Sequence, residues 1–116
     1  MNKRHIGTEY EQKACEYLMQ QGYEIVERNF YCRAGEIDIV AKHQEYLVFV
    51  EVKYRKDSSK GYPLEAVSTQ KQRTISKSAL YYIKHHKLQD MSVRFDVVGI
   101  LGEQVQLIQN AFDFVI

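Results

Sequence analysis

The chain has 116 residues, of which 45% are hydrophobic and 27% are charged, the balance of a soluble globular chain. This length predicts one domain over residues 1–116 with a core of its own, and the apolar runs are far too short for a membrane span. Two cysteines with no CxxC pair and an N-terminus without an apolar signal segment predict a cytoplasmic protein without a disulfide.

The net charge of +1 conceals an uneven distribution along the chain. Residues 1–52 carry six Lys/Arg against nine Asp/Glu, residues 53–87 carry nine against two, and residues 88–116 carry one against four. A basic middle third predicts a surface that attracts phosphate backbones. A solvated helix face would give the same composition, so both interpretations stay open.

In chain order, the first predicted elements are a helix, a strand and a β-hairpin. Apolar spacing predicts a helix from Gly7 to about Gln21 and a short strand over residues 23–28. Two strand-like runs, 36–42 and 46–55, then predict a hairpin. A polar loop with Gly and Pro follows over residues 56–63 and is the best candidate for disorder.

The second half of the chain is predicted to contain one helix followed by two strands. Ser68 is a plausible N-cap for a helix that runs to about His86. Its inward stripe is formed by Lys71, Ile75, Ala79, Tyr82 and Ile83. Strands follow over residues 93–101 and 104–108. The order of elements predicts an α/β fold with a central mixed β-sheet and helices packed on it.

The second hairpin strand carries charged residues on an otherwise apolar run. Alternation places Val48, Val50 and Val52 on one face and Leu47, Phe49, Glu51 and Lys53 on the other. On the preceding strand, Glu36 and Asp38 share one face, and Ile37, Ile39 and Ala41 occupy the opposite one. Burying Glu51 without compensation costs several kcal/mol, so a partner is expected, and Lys53 can serve in part.

The length of the hairpin loop decides whether the acids of the two strands meet. A two-residue loop, Gln44-Glu45, places Asp38 opposite Glu51, where like charges repel unless a cation lies between them. A three-residue loop places Asp38 on the other face. Metal chemistry therefore requires the two-residue loop, or a bulge that restores its parity.

Two carboxylates and an amine on adjacent strands suit phosphodiester hydrolysis. Oxygen ligands select Mg²⁺ or Mn²⁺, which lowers the pKa of a bound water and neutralises charge on the phosphorus. An ammonium group beside that water can orient it. The alternative is a buried ion pair between Glu51 and Lys53, with Asp38 at the surface.

Several segments resemble the uncharacterised bacterial YraN-like family, which is assigned to the PD-(D/E)xK nuclease superfamily with archaeal Holliday-junction resolvases and restriction endonucleases. The main segments are 35–38, 48–53 and 94–98. The similarity extends over nearly the whole chain through Gly7, Glu11, Ala14, Leu18, Arg28-Asn29, Gly61, Lys71-Gln72 and Ala111-Phe112. It implies a restriction endonuclease-like core with a mixed sheet of about five strands flanked by helices.

The resemblance also implies roles for individual residues. Asp38 and Glu51 correspond to the metal-binding acids, with the backbone carbonyl of Val52 as a further ligand, and Lys53 corresponds to the catalytic lysine. The literal proline of the motif is replaced by Ile37. Glu11 resembles a helical acid that assists the metal, and it shares a helix face with apolar residues. The alternative is that Glu11 is a charge at the helix terminus that complements the helix dipole.

Candidate substrate contacts lie at the start of the second helix and in the basic segment around it. Lys71 and Gln72 can meet a phosphate there, and Gln70 could instead take the glutamine role of the superfamily. The remaining candidates are Arg55 and Arg73.

Further positions have other interpretations. Tyr81, Tyr82, His85 and His86 are interpreted as packing and helix-end residues. Asp96 is expected to pair with Arg94 or Arg28, and the role of Glu36 stays open between support, substrate binding and a second metal.

These patterns predict a Mg²⁺- or Mn²⁺-dependent endonuclease that acts on nucleic acid, DNA rather than RNA, with branched or structured DNA among the candidates. No membrane partner is expected, and small resolvases imply a homodimer. The alternatives are a non-catalytic nucleic-acid-binding module with the same fold and a protein-interaction subunit.

Overall fold

The computed structural model describes residues 3–61 and 67–115, with side chains from Glu9 onward except that of Lys60. Two helices and five strands form an α/β fold, as predicted. Their bounds are α1 (Lys3–Gln20), β1 (Glu24–Cys32), β2 (Gly35–His43), β3 (Tyr46–Arg55), α2 (Thr69–His85), β4 (Ser92–Leu101) and β5 (Gln104–Phe112), with a 3₁₀ turn at Ser58–Lys60.

The described strands form one mixed sheet in the order β1-β2-β3-β4-β5. Strands β3 and β4 are parallel, and the other neighbours are antiparallel. Parallel neighbours require a crossover connection, and α2 lies on the connection between β3 and β4. The predicted mixed sheet with flanking helices is therefore confirmed, and it is compatible with a restriction endonuclease-like core.

Each face of the sheet is covered by one helix. Helix α1 buries Ala14, Cys15 and Leu18 against side chains that include Val48, Val50 and Val98. Helix α2 buries Ile75, Ala79, Tyr82 and Ile83 against Leu47, Phe49 and Phe95 on the opposite face. Strand β3 is consequently apolar on both sides, which is why its sequence reads as a nearly continuous hydrophobic run. Neither helix in the described ranges combines the length and apolarity needed to cross a membrane.

The structure describes the predicted start of α2 and part of the loop that precedes it. The backbone N–H of Lys71 donates to Ser68 Oγ at 3.1 Å, which confirms Ser68 as the N-cap. In the loop after β3, the expectation of disorder is wrong for Ser58–Lys60, because the Asp57 side chain accepts from the backbone N–H of Ser59 and caps a 3₁₀ turn. Residues 62–66 of this region lie outside the described residues.

The hairpin has the two-residue turn that the metal hypothesis required. Strands β2 and β3 pair from His43↔Tyr46 to Ile39↔Val50, with Gln44 and Glu45 between them. Gln44 has a φ of 57°, the left-handed conformation that tight hairpin turns need. The same register places Asp38 opposite Glu51, at the point where regular pairing between the two strands ends.

The predicted alternation along β2 is wrong at Ile37. Ile39 and Ala41 are buried under α1, as one face requires, but Ile37 is buried under α2. The break in alternation falls at Asp38. On the neighbouring strand β1, Asn29 has a φ of 55°, so this strand is irregular at the same level. The irregularity lies beside the acidic residues and sets their directions.

Candidate metal centre

Asp38 is held at the place where β2 separates from β3. The backbone N–H of Val52 donates to Asp38 Oδ2 at 2.8 Å. A carboxylate that accepts from a fixed backbone donor has one oxygen oriented and the other left for further contacts. The Val52 N–H thereby bonds to a side chain, and the two strands can stay apart at this level.

Glu51 follows Val50 on β3 and points to the α2 side of the sheet, where it is only 6% exposed. Two ammonium groups face its carboxylate. Lys53 Nζ lies 4.0 Å from Oε1, and Lys71 Nζ, from the first turn of α2, lies 3.8 Å from Oε2. Lys53 was expected to compensate Glu51 in part, whereas the contact from Lys71 was not foreseen.

Two more carboxylates converge on Asp38. One oxygen each of Glu11, Glu36 and Asp38 lies within 4.8 Å of the others. Glu11 comes from α1, and its other neighbours include Arg28, whose Nη2 is 3.9 Å from Oε1. The prediction that Glu11 points toward the interior is confirmed, since its side chain meets the sheet at Asp38. We call Glu11, Glu36, Asp38 and Glu51 the acidic cluster.

Burial and the charge of Asp38 raise the pKa of three acids in the acidic cluster. Burial raises the pKa of Glu51 to about 8, and the charge of Asp38 and a hydrogen bond to it add to the effect. Burial also raises the pKa of Glu11 and that of Glu36, followed in both by the charge of Asp38. The cluster therefore holds more negative charge than its surroundings stabilise, and a cation would favour the ionised forms. Its donors are all carboxylate oxygens, which fit Mg²⁺ or Mn²⁺.

Of the five predicted substrate contacts, only Lys71 touches the acidic cluster within the described ranges. The Gln72 side-chain amide donates to the carbonyl of Val67 at 3.2 Å and so supports the helix start. Gln70 and Arg73 are exposed on the first turns of α2. Arg55 Nη1 donates to the carbonyl of Tyr54 at 3.0 Å. Substrate binding by all five residues, Lys71 included, stays a prediction, as does the metal-ligand role of the Val52 carbonyl.

A family model described as "Uncharacterised protein family UPF0102" matches residues 10–100, a range that contains all four acids. The chain belongs to the UPF0102 family. A UPF0102 protein of Lachnoclostridium phytofermentans is 53% identical over 114 residues, which cover 97% of both chains. Those of Fusobacterium nucleatum and Caldicellulosiruptor saccharolyticus are 46% and 44% identical and cover 95% and 97% of this chain and 92% and 100% of their own.

Membership in UPF0102 confirms the resemblance to the YraN-like family that the sequence segments indicated. The names of these relatives state no activity.

A second polar group in this UPF0102 protein surrounds Asp96 on β4. Asp96 is fully buried and accepts from Arg94 Nε and Nη2 at 2.9 Å, from the Tyr23 hydroxyl at 2.6 Å and from the backbone N–H of Asn110 at 2.9 Å. The expected pairing with Arg94 is confirmed. Tyr23 and Asn110 were not foreseen, because they are remote in sequence and carry no motif.

The aromatic residues near the end of α2 divide into two kinds. Tyr82 is 2% exposed and packs on Phe30 and Phe49, as expected. Tyr81, near the end of α2, packs on Phe30 and His85 but is 51% exposed, so its packing is only partial. Helical periodicity could have separated them, because Tyr82 continues the stripe of Ile75 and Ala79 while Tyr81 lies to one side of it.

The raised pKa of Glu51 has a measurable consequence for the UPF0102 fold without metal. The Glu51 carboxyl binds its proton more tightly in the folded state than in the unfolded chain, where its pKa is near 4.5. The protonated Glu51 carboxyl therefore contributes its full stabilisation below about pH 4.5, and this stabilisation is lost as the pH rises toward 8. We expect wild type in chelator to lose stability on the order of 3 kcal/mol across this window because of Glu51.

Glu51→Gln should remove most of this pH dependence and should be the more stable chain at pH 8. Urea titrations at several pH values measure the difference. Glu24→Gln, at an exposed position on β1, is the matched control and should follow wild type. Parallel curves for wild type and Glu51→Gln would contradict the assignment of the raised pKa to Glu51.

Proposed function

We propose that this UPF0102 protein is a divalent-cation-dependent endonuclease of the PD-(D/E)xK superfamily that hydrolyses phosphodiester bonds in DNA. The observation that carries the proposal is the meeting of Asp38 and Glu51, from adjacent strands, beside Lys53 and Lys71. Opposed carboxylates without a cation would destabilise the sheet. Two carboxylates beside two amines are typical of a site for a cation and a phosphate.

Asp38, Glu51 and the backbone carbonyl of Val52 would hold Mg²⁺ or Mn²⁺. When bound, such an ion supplies a water of lowered pKa and neutralises charge on the phosphate. Asp38 is already oriented by the Val52 N–H, which reduces the rearrangement required for binding. Glu11 and Glu36 lie close to Asp38, where they can accept hydrogen bonds from water.

The two lysines have distinct places in the proposed reaction. Lys53 is on the same strand face as Glu51 and can orient the attacking water toward the phosphorus. Lys71 is on the first turn of α2, where helix N–H groups and the dipole favour an anion, so it can hold a non-bridging phosphate oxygen. Water adds to phosphorus, the P–O bond to one sugar breaks, and that sugar oxygen takes up a proton.

Cleavage assays on a panel of nucleic acids test this proposal. Purified protein would be incubated in Mg²⁺, in Mn²⁺ and in EDTA with blunt duplex, flapped and four-way-junction DNA and with matched RNA. We expect products from DNA in Mg²⁺ or Mn²⁺ and none in EDTA. A folded, nucleic-acid-binding protein that yields no product with either ion on any substrate would contradict it.

That contradicting result would support the second candidate function, a nucleic-acid-binding module with the same fold. The observation in its favour is the excess of basic residues in 53–87, nine against two acidic. Such a module would bind with a strong dependence on salt and no dependence on metal.

A further inference from the structure

Two open, basic pockets flank Tyr81 beside the β1–β2 turn and the exposed side of α2, and we call them together the basic groove. Its first part has a volume of about 620 Å³ and is lined by Arg33, Ala34, Lys77 and Tyr81. Its second part has a volume of about 440 Å³ and is lined by Tyr81, Lys84 and His85. Tyr81 belongs to both parts and therefore lies in the middle of the groove.

The walls of this basic groove are fixed by packing. At Gly35 a Cβ atom would lie 2.6 Å from Thr74 Cγ2, so the β1–β2 turn rests directly against α2. The ring of Tyr81 is oriented by His85, with centroids 6.0 Å apart and planes 14° apart, and by Phe30 at 6.2 Å. Half of its surface nevertheless stays exposed. A rigid, half-open aromatic ring is the feature that stacks on a planar ligand.

The charges of the basic groove select an anionic ligand. Arg33, Lys77 and Lys84 line it, and the described residues that line it include no Asp or Glu. Alternating cations and an exposed aromatic ring are the elements with which proteins hold single-stranded nucleic acid: cations contact the phosphates and the ring stacks on a base. Bases in an intact duplex are stacked on each other and do not offer their faces.

The basic groove and the acidic cluster are both formed in part by α2. Lys71, which contacts Glu51, and Tyr81 are on the same helix, about 15 Å apart along its axis at 1.5 Å per residue. Next to the β1–β2 turn, Tyr31 is the β-sheet partner of Glu36 and lowers its pKa through a hydrogen bond.

We propose that the basic groove binds an unpaired segment of a nucleic-acid strand, with Tyr81 stacked on a base and Arg33, Lys77 and Lys84 at phosphates. The inference rests on the proposed function and specifies its substrate class: DNA with a single-stranded segment next to the cleaved bond. Flaps and junctions with unpaired arms meet this description, and blunt duplex does not.

Equilibrium binding in EDTA tests the groove independently of cleavage. Fluorescence anisotropy would compare a labelled oligothymidylate with a labelled blunt duplex. We expect Tyr81→Ala to weaken oligothymidylate binding about 10-fold, within the range for loss of one base–aromatic stack, and duplex binding less than about 2-fold. Tyr81→Phe should bind like wild type. Lys77→Ala and Lys84→Ala should each weaken binding and lower the salt slope by about one.

Two control variants separate the groove from general surface effects. Leu80→Ala changes an exposed neighbour of Tyr81 that does not line the groove, and Lys42→Ala removes an exposed charge on β2. Both should bind like wild type. Equal affinity of wild type and Tyr81→Ala for oligothymidylate would overturn the inference. Conversion of a dimer to a monomer by Tyr81→Ala with unchanged binding, measured by sedimentation, would also overturn it.

The outcomes for groove and catalysis are distinguishable. Tyr81-dependent binding without any cleavage in Mg²⁺ or Mn²⁺ supports the groove and contradicts the proposed nuclease. Metal-dependent cleavage that is equally fast on blunt and single-stranded substrates in wild type and Tyr81→Ala supports the nuclease and overturns the groove.

Discussion

Asp38→Asn, Glu51→Gln and Lys53→Met should each lower the rate of metal-dependent DNA cleavage by about 10³-fold or more. The two amides remove a charged oxygen ligand, and the amide introduced in place of Asp38 would still accept from the Val52 N–H through its carbonyl oxygen. The third change removes the amine beside Glu51 while keeping most of the side-chain volume. Single-turnover cleavage of a flapped DNA in Mn²⁺ measures the effect, because it isolates chemistry from product release.

Matched control variants exist for the changes at Asp38 and Lys53. Asp90→Asn and Lys42→Met alter exposed residues away from the acidic cluster, and both should cleave at the wild-type rate. Oligothymidylate binding in EDTA should be unchanged in Lys53→Met, which separates chemistry from groove binding. Cleavage that persists in Asp38→Asn and Glu51→Gln would mean that the reaction occurs elsewhere on the chain.

Asp96→Ala should reduce the free energy of unfolding by about 3–5 kcal/mol, the usual cost of leaving one member of a buried ion pair alone. Arg94 is only 9% exposed and would lose both of its 2.9 Å bonds to the carboxylate. The Tyr23 hydroxyl and the Asn110 N–H would lose an acceptor as well. Urea denaturation at a fixed pH measures the loss.

Two comparisons show whether this group acts as a unit. Arg94→Met combined with Asp96→Ala should cost less than the sum of the single changes, because the double variant leaves no unpaired charge. Asp113→Ala, at an exposed acid, should change stability by less than about 0.5 kcal/mol. An Asp96→Ala protein of wild-type stability that fails to bind Mn²⁺ would instead place Asp96 in the metal centre.

The parts of the fold that local chemistry determines could be predicted from the sequence. Strand β3 was predicted at its observed bounds because alternation and β-branched residues mark it clearly. Ser68 was predicted as a cap because a serine before an apolar stripe satisfies a free helix N–H. The two-residue turn could be stated as a condition for the site but not chosen, since Gln44-Glu45 is not a favoured turn pair.

The parts that depend on distant residues could not be predicted. The face of Ile37 depends on the irregularity that β2 shares with Asn29 of β1, which no local pattern reveals. The contact of Lys71 with Glu51 depends on where α2 meets the sheet. Strand β5 extends to Phe112, beyond the predicted residue 108, because pairing with β4 outweighs the polar residues there.

Calorimetric titration of Mn²⁺ into wild type and Asp38→Asn at about pH 7.5 most directly tests whether the acidic cluster is a metal centre. We expect saturable binding by wild type with release of protons, since the acids must ionise to coordinate the ion, and no detectable binding by Asp38→Asn. Equal Mn²⁺ affinity in the two proteins, or no binding by folded wild type, would contradict this expectation.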